Sequence, residues 1–265
     1  GSTNADRTNY WEVVPANALE LALWMESDRM GYLLPALTEA KFANQRAVVL
    51  NERRQSYENR PYGLSSMAML AALFSPNHPY HWPTIGEIAD LNAVRLDEVH
   101  AFFQRYYHPA NASLALAGDF DSDGALALVR AYFEELDPGQ AVEPVLAHAS
   151  LESDTRVLLE DRVELPRVYV AWLTPAMFAT GDAELDLASD LLANGKTSRL
   201  YRRLVFESRI ATDVSASQNS REIGGFLQVG ATAAPGHTLA ELEDVIVEEI
   251  SRLALDGPTD DELER

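Results

Sequence analysis

The chain of 265 residues is 47% apolar, 23% charged and free of cysteine, which excludes a disulfide scaffold, a thiol nucleophile and any cysteine-held metal centre. Its 21 basic and 41 acidic residues leave a net charge of −20; this argues against sequence-independent nucleic-acid binding and against docking on anionic lipid, favours solubility, and leaves attraction of basic substrates open. No run approaches the ~18 consecutive apolar residues of a membrane span, and the length allows about two domains.

The opening Gly1-Ser2 reads as the scar of tag removal and is set aside. Residues 17–30 form an amphipathic helix with Leu19, Leu23 and Met30 along one face. A longer helix runs from Thr38 to about Glu58, and Phe42, Gln45, Val49 and Glu52 share one of its faces. Pro61 and Gly63 end it, a short apolar helix follows at 64–74, and 76–83 is loop. The next helix, 96–107, has Val99, Phe102, Phe103 and Tyr106 as its buried stripe; 113–117 is a short strand. Helix 123–136 keeps Leu126, Val129, Phe133 and Leu136 in step. Residues 137–150, with Pro and Gly and little periodicity, read as a linker.

The second half opens with strands at 156–159 and 168–173, rich in β-branched and aromatic residues. Helices follow at 182–193 and 197–207, then strands at 212–218 and 225–232. A final amphipathic helix, 240–255, is closed by Gly257. Thr259 with Glu262 three residues on is a capping box. A chain that stops as a helix starts is expected to be a piece of a longer protein. The pattern is α+β, with antiparallel or mixed sheets covered by helices.

Several short motifs fail on inspection. Gly195-Lys196-Thr197 is the tail of a phosphate loop, but Asp190 stands where the leading glycine belongs; the turn reads instead as a helix–helix junction capped by Thr197. Asp119 to Gly124 matches half a calcium loop, yet the bidentate position holds Arg130, so Asp121 or Asp123 reads as a helix cap. His78 and His81 are kept off a helix by Pro79 and read as loop histidines. The strained serine elbow of a hydrolase is absent from the sequence.

A series of blocks in fixed order carries more information. Thr8-Asn9-Tyr10, Glu26-Ser27-Asp28-Arg29-Met30, Asn51-Glu52-Arg53-Arg54, Pro61-Tyr62-Gly63, His78-Pro79-Tyr80, Tyr107-His108-Pro109 and Gly118-Asp119-Phe120 together resemble the pitrilysin/insulinase family of zinc peptidases across nearly the whole chain. The second half, with Thr197-Ser198-Arg199-Leu200-Tyr201, resembles that family's non-metal domain.

The resemblance implies a zinc held by two His of an H-x-x-E-H helix and by a downstream Glu, here Glu52, with a fourth position left for water. The chain contains no H-x-x-E-H, so the His pair and catalytic Glu are expected in a missing N-terminal piece, together with most of a substrate-binding edge strand before Thr3. By itself this piece is expected to bind zinc weakly and cleave nothing. Gln45 stands where relatives carry a second acid; a Gln can still hydrogen-bond beside the metal but brings no charge. Val205 and Thr212 replace an Arg and a Tyr that contact substrate, which implies that another half, in the same chain or in a partner subunit, supplies them.

The implied fold is two related domains of antiparallel or mixed sheet flanked by helices, forming half of a clamshell. Residues 1–137 would be the C-terminal part of the metal-bearing domain, 138–150 a linker, and 151–265 the N-terminal part of the second. The implied function is a zinc-dependent endopeptidase acting on peptides or unfolded segments. The alternative is a non-catalytic structural or partner subunit. Resemblance to bacterial secreted members implies a periplasmic location, with the cytoplasm as the alternative.

Overall fold

A computed structural model describes residues 1–264. In chain order they form β1 (Ser2–Thr3), β2 (Thr8–Asn9), α1 (Leu19–Ala36), α2 (Glu39–Arg53), α3 (Ser65–Leu73), α4 (Ile88–Ala93), α5 (Leu96–Tyr106), α6 (Ser122–Phe133), β3 (Arg167–Thr174), α7 (Asp182–Ala193), β4 (Ala211–Asn219), β5 (Gly225–Ala233), α8 (Leu239–Asp256) and α9 (Asp260–Leu263). Segments Arg54–Glu58 and Tyr201–Glu207 are π-helical. The class is α+β, as the sequence pattern predicts. Two compact units emerge: Gly1–Arg54 with Ile85–Val145, and Gln55–Thr84 with Leu146–Arg265.

In the first unit, local chemistry sets the helix starts. The Thr38 hydroxyl accepts from the Lys41 amide, and the Asp121 carboxylate from the Gly124 amide at 2.7 Å. Each satisfies an amide that the first turn leaves open. Asp121 is thus a helix cap, the reading favoured over a calcium ligand. Helix α1 outruns its expected end at residue 30 and continues to Ala36, with Gly31 lying close against Leu136: a Cβ there would come within 2.5 Å of the leucine Cδ2. The expected stripe on α5 is only partly buried. Phe102 is 52% exposed, its ring packed on Tyr106 (4.8 Å between centroids) along the helix itself.

The second unit is organised by an antiparallel sheet of order β3-β5-β4. Period-two alternation sends its side chains to two cores. Val229, Ala231 and Ala233 of the central strand pack with Leu192, Leu200, Leu204, Leu242 and Ile246. Phe226, on the other face, packs with Leu73, Phe74 and Tyr80. A strand covered on both faces reads as an almost continuous apolar run.

Three expectations are corrected. Residues 113–117 and 156–159 form no strand. A strand exists only as one side of a hydrogen-bonded ladder, and no described segment pairs with either; Leu158 is 83% exposed. Thr197 caps no helix. The turn is closed instead by Ser198, whose hydroxyl donates to the Gly195 carbonyl at 2.8 Å, and most of the following helix is π-wound.

The capping box at Thr259 forms, and Glu262 takes a second partner in Arg199, whose Nε and Nη2 both donate to its carboxylate at 2.7 Å. The Arg199 guanidinium holds the Glu262 carboxyl down at about 2, against an ordinary 4.5. A lowered folded-state value stabilises above the unfolded pKa and loses that contribution as pH falls. Protection of the α9 amides from hydrogen exchange should therefore decline as pH drops from 4.5 toward about 2. The loss should be on the order of 1–2 kcal/mol after solvent screening. Glu262→Gln should flatten the profile; an unchanged slope in that variant would refute the assignment.

Candidate functional site

Helix α2 carries the residues singled out by sequence. At about 100° per residue, Phe42 and Val49 lie within about 20° of each other, and Gln45 and Glu52 form a parallel ridge some 60° further round. The structure separates the two ridges by burial: Phe42 and Val49 are half-buried, Gln45 and Glu52 exposed. On the buried side run Arg46 and Arg53. Arg46 lies over the Phe42 ring, 5.2 Å from its centroid, and donates to the Val94 carbonyl at 3.3 Å. Arg53, with only 7% of its side chain exposed, donates to the Gly86 carbonyl at 2.6 Å and to Glu87 Oε2 at 3.1 Å.

The Asn51–Arg54 block is therefore divided in its roles. Arg53 points inward, Arg54 donates to Asn51 Oδ1 at 3.1 Å, and the Glu52 carboxylate makes no hydrogen bond or ion pair with a described residue. It sits in the last turn of α2, directly before the π-helical Arg54–Glu58. Such turns are frequent at functional sites. An unpaired carboxylate is a sound oxygen donor for zinc, so Glu52 fits the part of one ligand. Among the described residues no three His, Cys, Asp or Glu side chains come together to hold a metal. Gln45 lies about 10.5 Å back along the same ridge.

The two substituted positions of the second half are occupied by groups of other chemistry. Val205 packs against the core of its unit. Thr212 stands at an irregularity of β4, where pairing shifts between Ala211 and Asp213, and its hydroxyl lies 3.3 Å from Asp213 Oδ2. Neither offers a cation or a phenol.

Two features were beyond the sequence reading. His78 is a loop residue, as read, but it is buried, only 2% exposed. Its Nδ1 accepts from the Tyr80 amide at 3.1 Å, and its ring stacks on Phe74 at 4.7 Å. Burial, with the Arg221 guanidinium nearby, pushes its pKa down. The density of rings in His78-Pro79-Tyr80-His81-Trp82 was the available signal. The second feature is the pair of arginines on α2, whose partners lie 48 and 33 residues away.

The zinc protease PqqE of Helicobacter pylori is 30% identical over 96% of this chain and 60% of its own length. An uncharacterized zinc protease of Mycobacterium leprae, ML0855, is 29% identical over 98% of this chain and 58% of its own. The chain thus spans about 60% of the length of these two curated relatives. The crystal structure of a protease from Helicobacter pylori superposes with a TM-score of 0.81 at 27% identity, covering 95% of this chain and 61% of that one. The peptidase M16 inactive domain from Pseudomonas fluorescens follows with 0.77 at 21% identity, over 94% and 59%. Residues 93–265 match the family model described as the Peptidase M16 inactive domain, and the chain belongs to the M16, or pitrilysin/insulinase, family.

Proposed function

We propose that this chain is part of a zinc-dependent endopeptidase that acts on peptides or unfolded segments, and that Glu52 supplies one carboxylate ligand of its zinc. The observation that carries the reading is Glu52 itself: an unpaired carboxylate at the end of a helix whose neighbouring arginine is fully engaged. The names of the relatives support the activity. PqqE is called a zinc protease, and a Mus musculus relative, 24% identical, is called a mitochondrial presequence protease. Gln45, on the same ridge, contributes an uncharged amide beside the ligand. Residues 1–137 are read as the C-terminal part of the metal-bearing domain, 138–150 as a linker and 151–265 as the N-terminal part of the second domain.

Val205 and Thr212 leave substrate contacts to a second peptidase-like half, in the same chain or in a partner subunit. A neighbour titled the periplasmic protease PqqL of Escherichia coli, 19% identical, was solved both as its first half and whole; this chain covers 54% and 28% of those. That title supports a periplasmic location and a second half in the same chain. No helix among the described residues is long and apolar enough to cross a membrane. The net charge of −20 favours basic peptides through long-range attraction.

The test is calorimetric zinc titration paired with cleavage of an unfolded polypeptide, for this 265-residue chain and for the full-length protein. The full-length protein is expected to bind zinc tightly and to lose cleavage to a chelator. The chain alone is expected to bind weakly and cleave nothing. A tight 1:1 site in the chain alone, or chelator-resistant cleavage by the full-length protein, overturns the reading.

A further inference from the structure

Helix α2 is gripped at two points by one short helix. Arg46 donates to the carbonyl of Val94, the C-cap residue of α4, and Arg53 to Gly86 and to the side chain of Glu87, the N-cap residue of α4. The dimensions match. Seven residues of α2 rise about 10.5 Å, and the six residues of α4 about 9 Å, so an antiparallel α4 fits between the two guanidinium groups. The charges match as well. Arg46 meets the negative end of the α4 dipole, and Glu87 lies at its positive end.

Alone, a helix of six residues is too short to persist in water; α4 depends on α2 for its order. The dependence runs both ways, because two anchors on one face of α2 oppose rotation about its axis. Gly86 takes φ +84°, a conformation that side chains disfavour, and its carbonyl meets Arg53. The fork of Arg53 spans a carbonyl and a carboxylate together, which a lysine ammonium cannot reproduce.

We infer that this clasp is a positioning device for Glu52, with Arg53 and Arg46 as positioning residues. By fixing the rotation of the last two turns of α2, they fix the direction in which the Glu52 carboxylate leaves the helix. Ligand groups work only when held within ~0.5 Å and about 10–20° of their geometry. The inference rests on the reading of Glu52 as a ligand.

The test measures zinc affinity and urea unfolding of the full-length protein for Arg53→Met, Arg53→Lys, Glu87→Gln and Glu52→Gln. Arg53→Met and Glu87→Gln should weaken zinc binding about 10–100-fold, the size expected for groups that orient a ligand. Arg53→Lys should recover part of the loss, since an ammonium reaches one of the two acceptors. Glu87 is partly exposed, so its variant keeps the test decisive if Arg53→Met fails to fold. Should both variants shift only the unfolding midpoint and leave zinc affinity unchanged while Glu52→Gln abolishes it, the clasp is merely structural and the inference fails. Should Glu52→Gln bind zinc as the wild type does, the ligand reading itself fails, and the inference with it.

Discussion

Glu52→Gln in the full-length protein is expected to lose zinc and peptide cleavage, while its metal-free form unfolds at the same urea concentration as the metal-free wild type. The functional arm follows from the chemistry of the donor. An amide oxygen carries no charge, and loss of a direct ligand should exceed the roughly 10–100-fold penalty seen for groups that merely orient ligands. The stability arm follows from the surroundings. Glu52 is exposed and makes no hydrogen bond or ion pair with a described residue, and surface substitutions of that kind stay within about 0.5 kcal/mol. Zinc content by atomic absorption measures the first arm, and urea midpoints of both proteins after metal removal measure the second. Retained zinc and cleavage would remove Glu52 from the site. A large fall in stability would show contacts that the structure does not contain.

The opposite profile is expected of Phe74→Ala: a loss of about 3–5 kcal/mol in stability, the range for a buried ring cut to a methyl group. Phe74 is 1% exposed. It meets Tyr80 and Phe226 edge-on at 5.6 and 6.5 Å, and His78 at 4.7 Å. Its carbonyl bonds the His81 ring nitrogen at 2.7 Å. Tyr80 in turn accepts from the Ile223 amide at 3.1 Å. Removing the ring leaves a cavity among these groups and frees residues 74–82 from the lower face of the sheet. Urea unfolding should show the loss, and limited proteolysis should find new cuts near residues 74–82. A change under about 1 kcal/mol would mean that the site collapses around the smaller side chain.

Most helices were legible because their signals are local, whereas the six-residue α4 was not expected from the sequence. Thr38, Asp121, Thr238 and Thr259 each cap the helix that follows them. The Asn51-Glu52-Arg53-Arg54 block and Gln45 pointed to one face of α2, and the structure leaves Gln45 and Glu52 exposed there. The strand-like runs at 113–117 and 156–159 misled, because a short apolar run does not provide a partner. The burial of His78 was hidden for a related reason: a loop histidine becomes a core group only when Phe74 and Tyr80 close over it.

By itself the sequence determined the family, the α+β class and the placing of the main helices, since these depend on residue identity, on the order of short blocks and on spacing within a few turns. Only the tertiary structure decided which strands exist, that residues 55–84 pack with the C-terminal unit, and that Arg46 and Arg53 clasp α4. Those outcomes require groups dozens of residues apart to meet, as Arg53 meets Gly86 and Tyr80 meets Ile223. Such meetings are set by the packing of whole elements, and sequence spacing does not encode them.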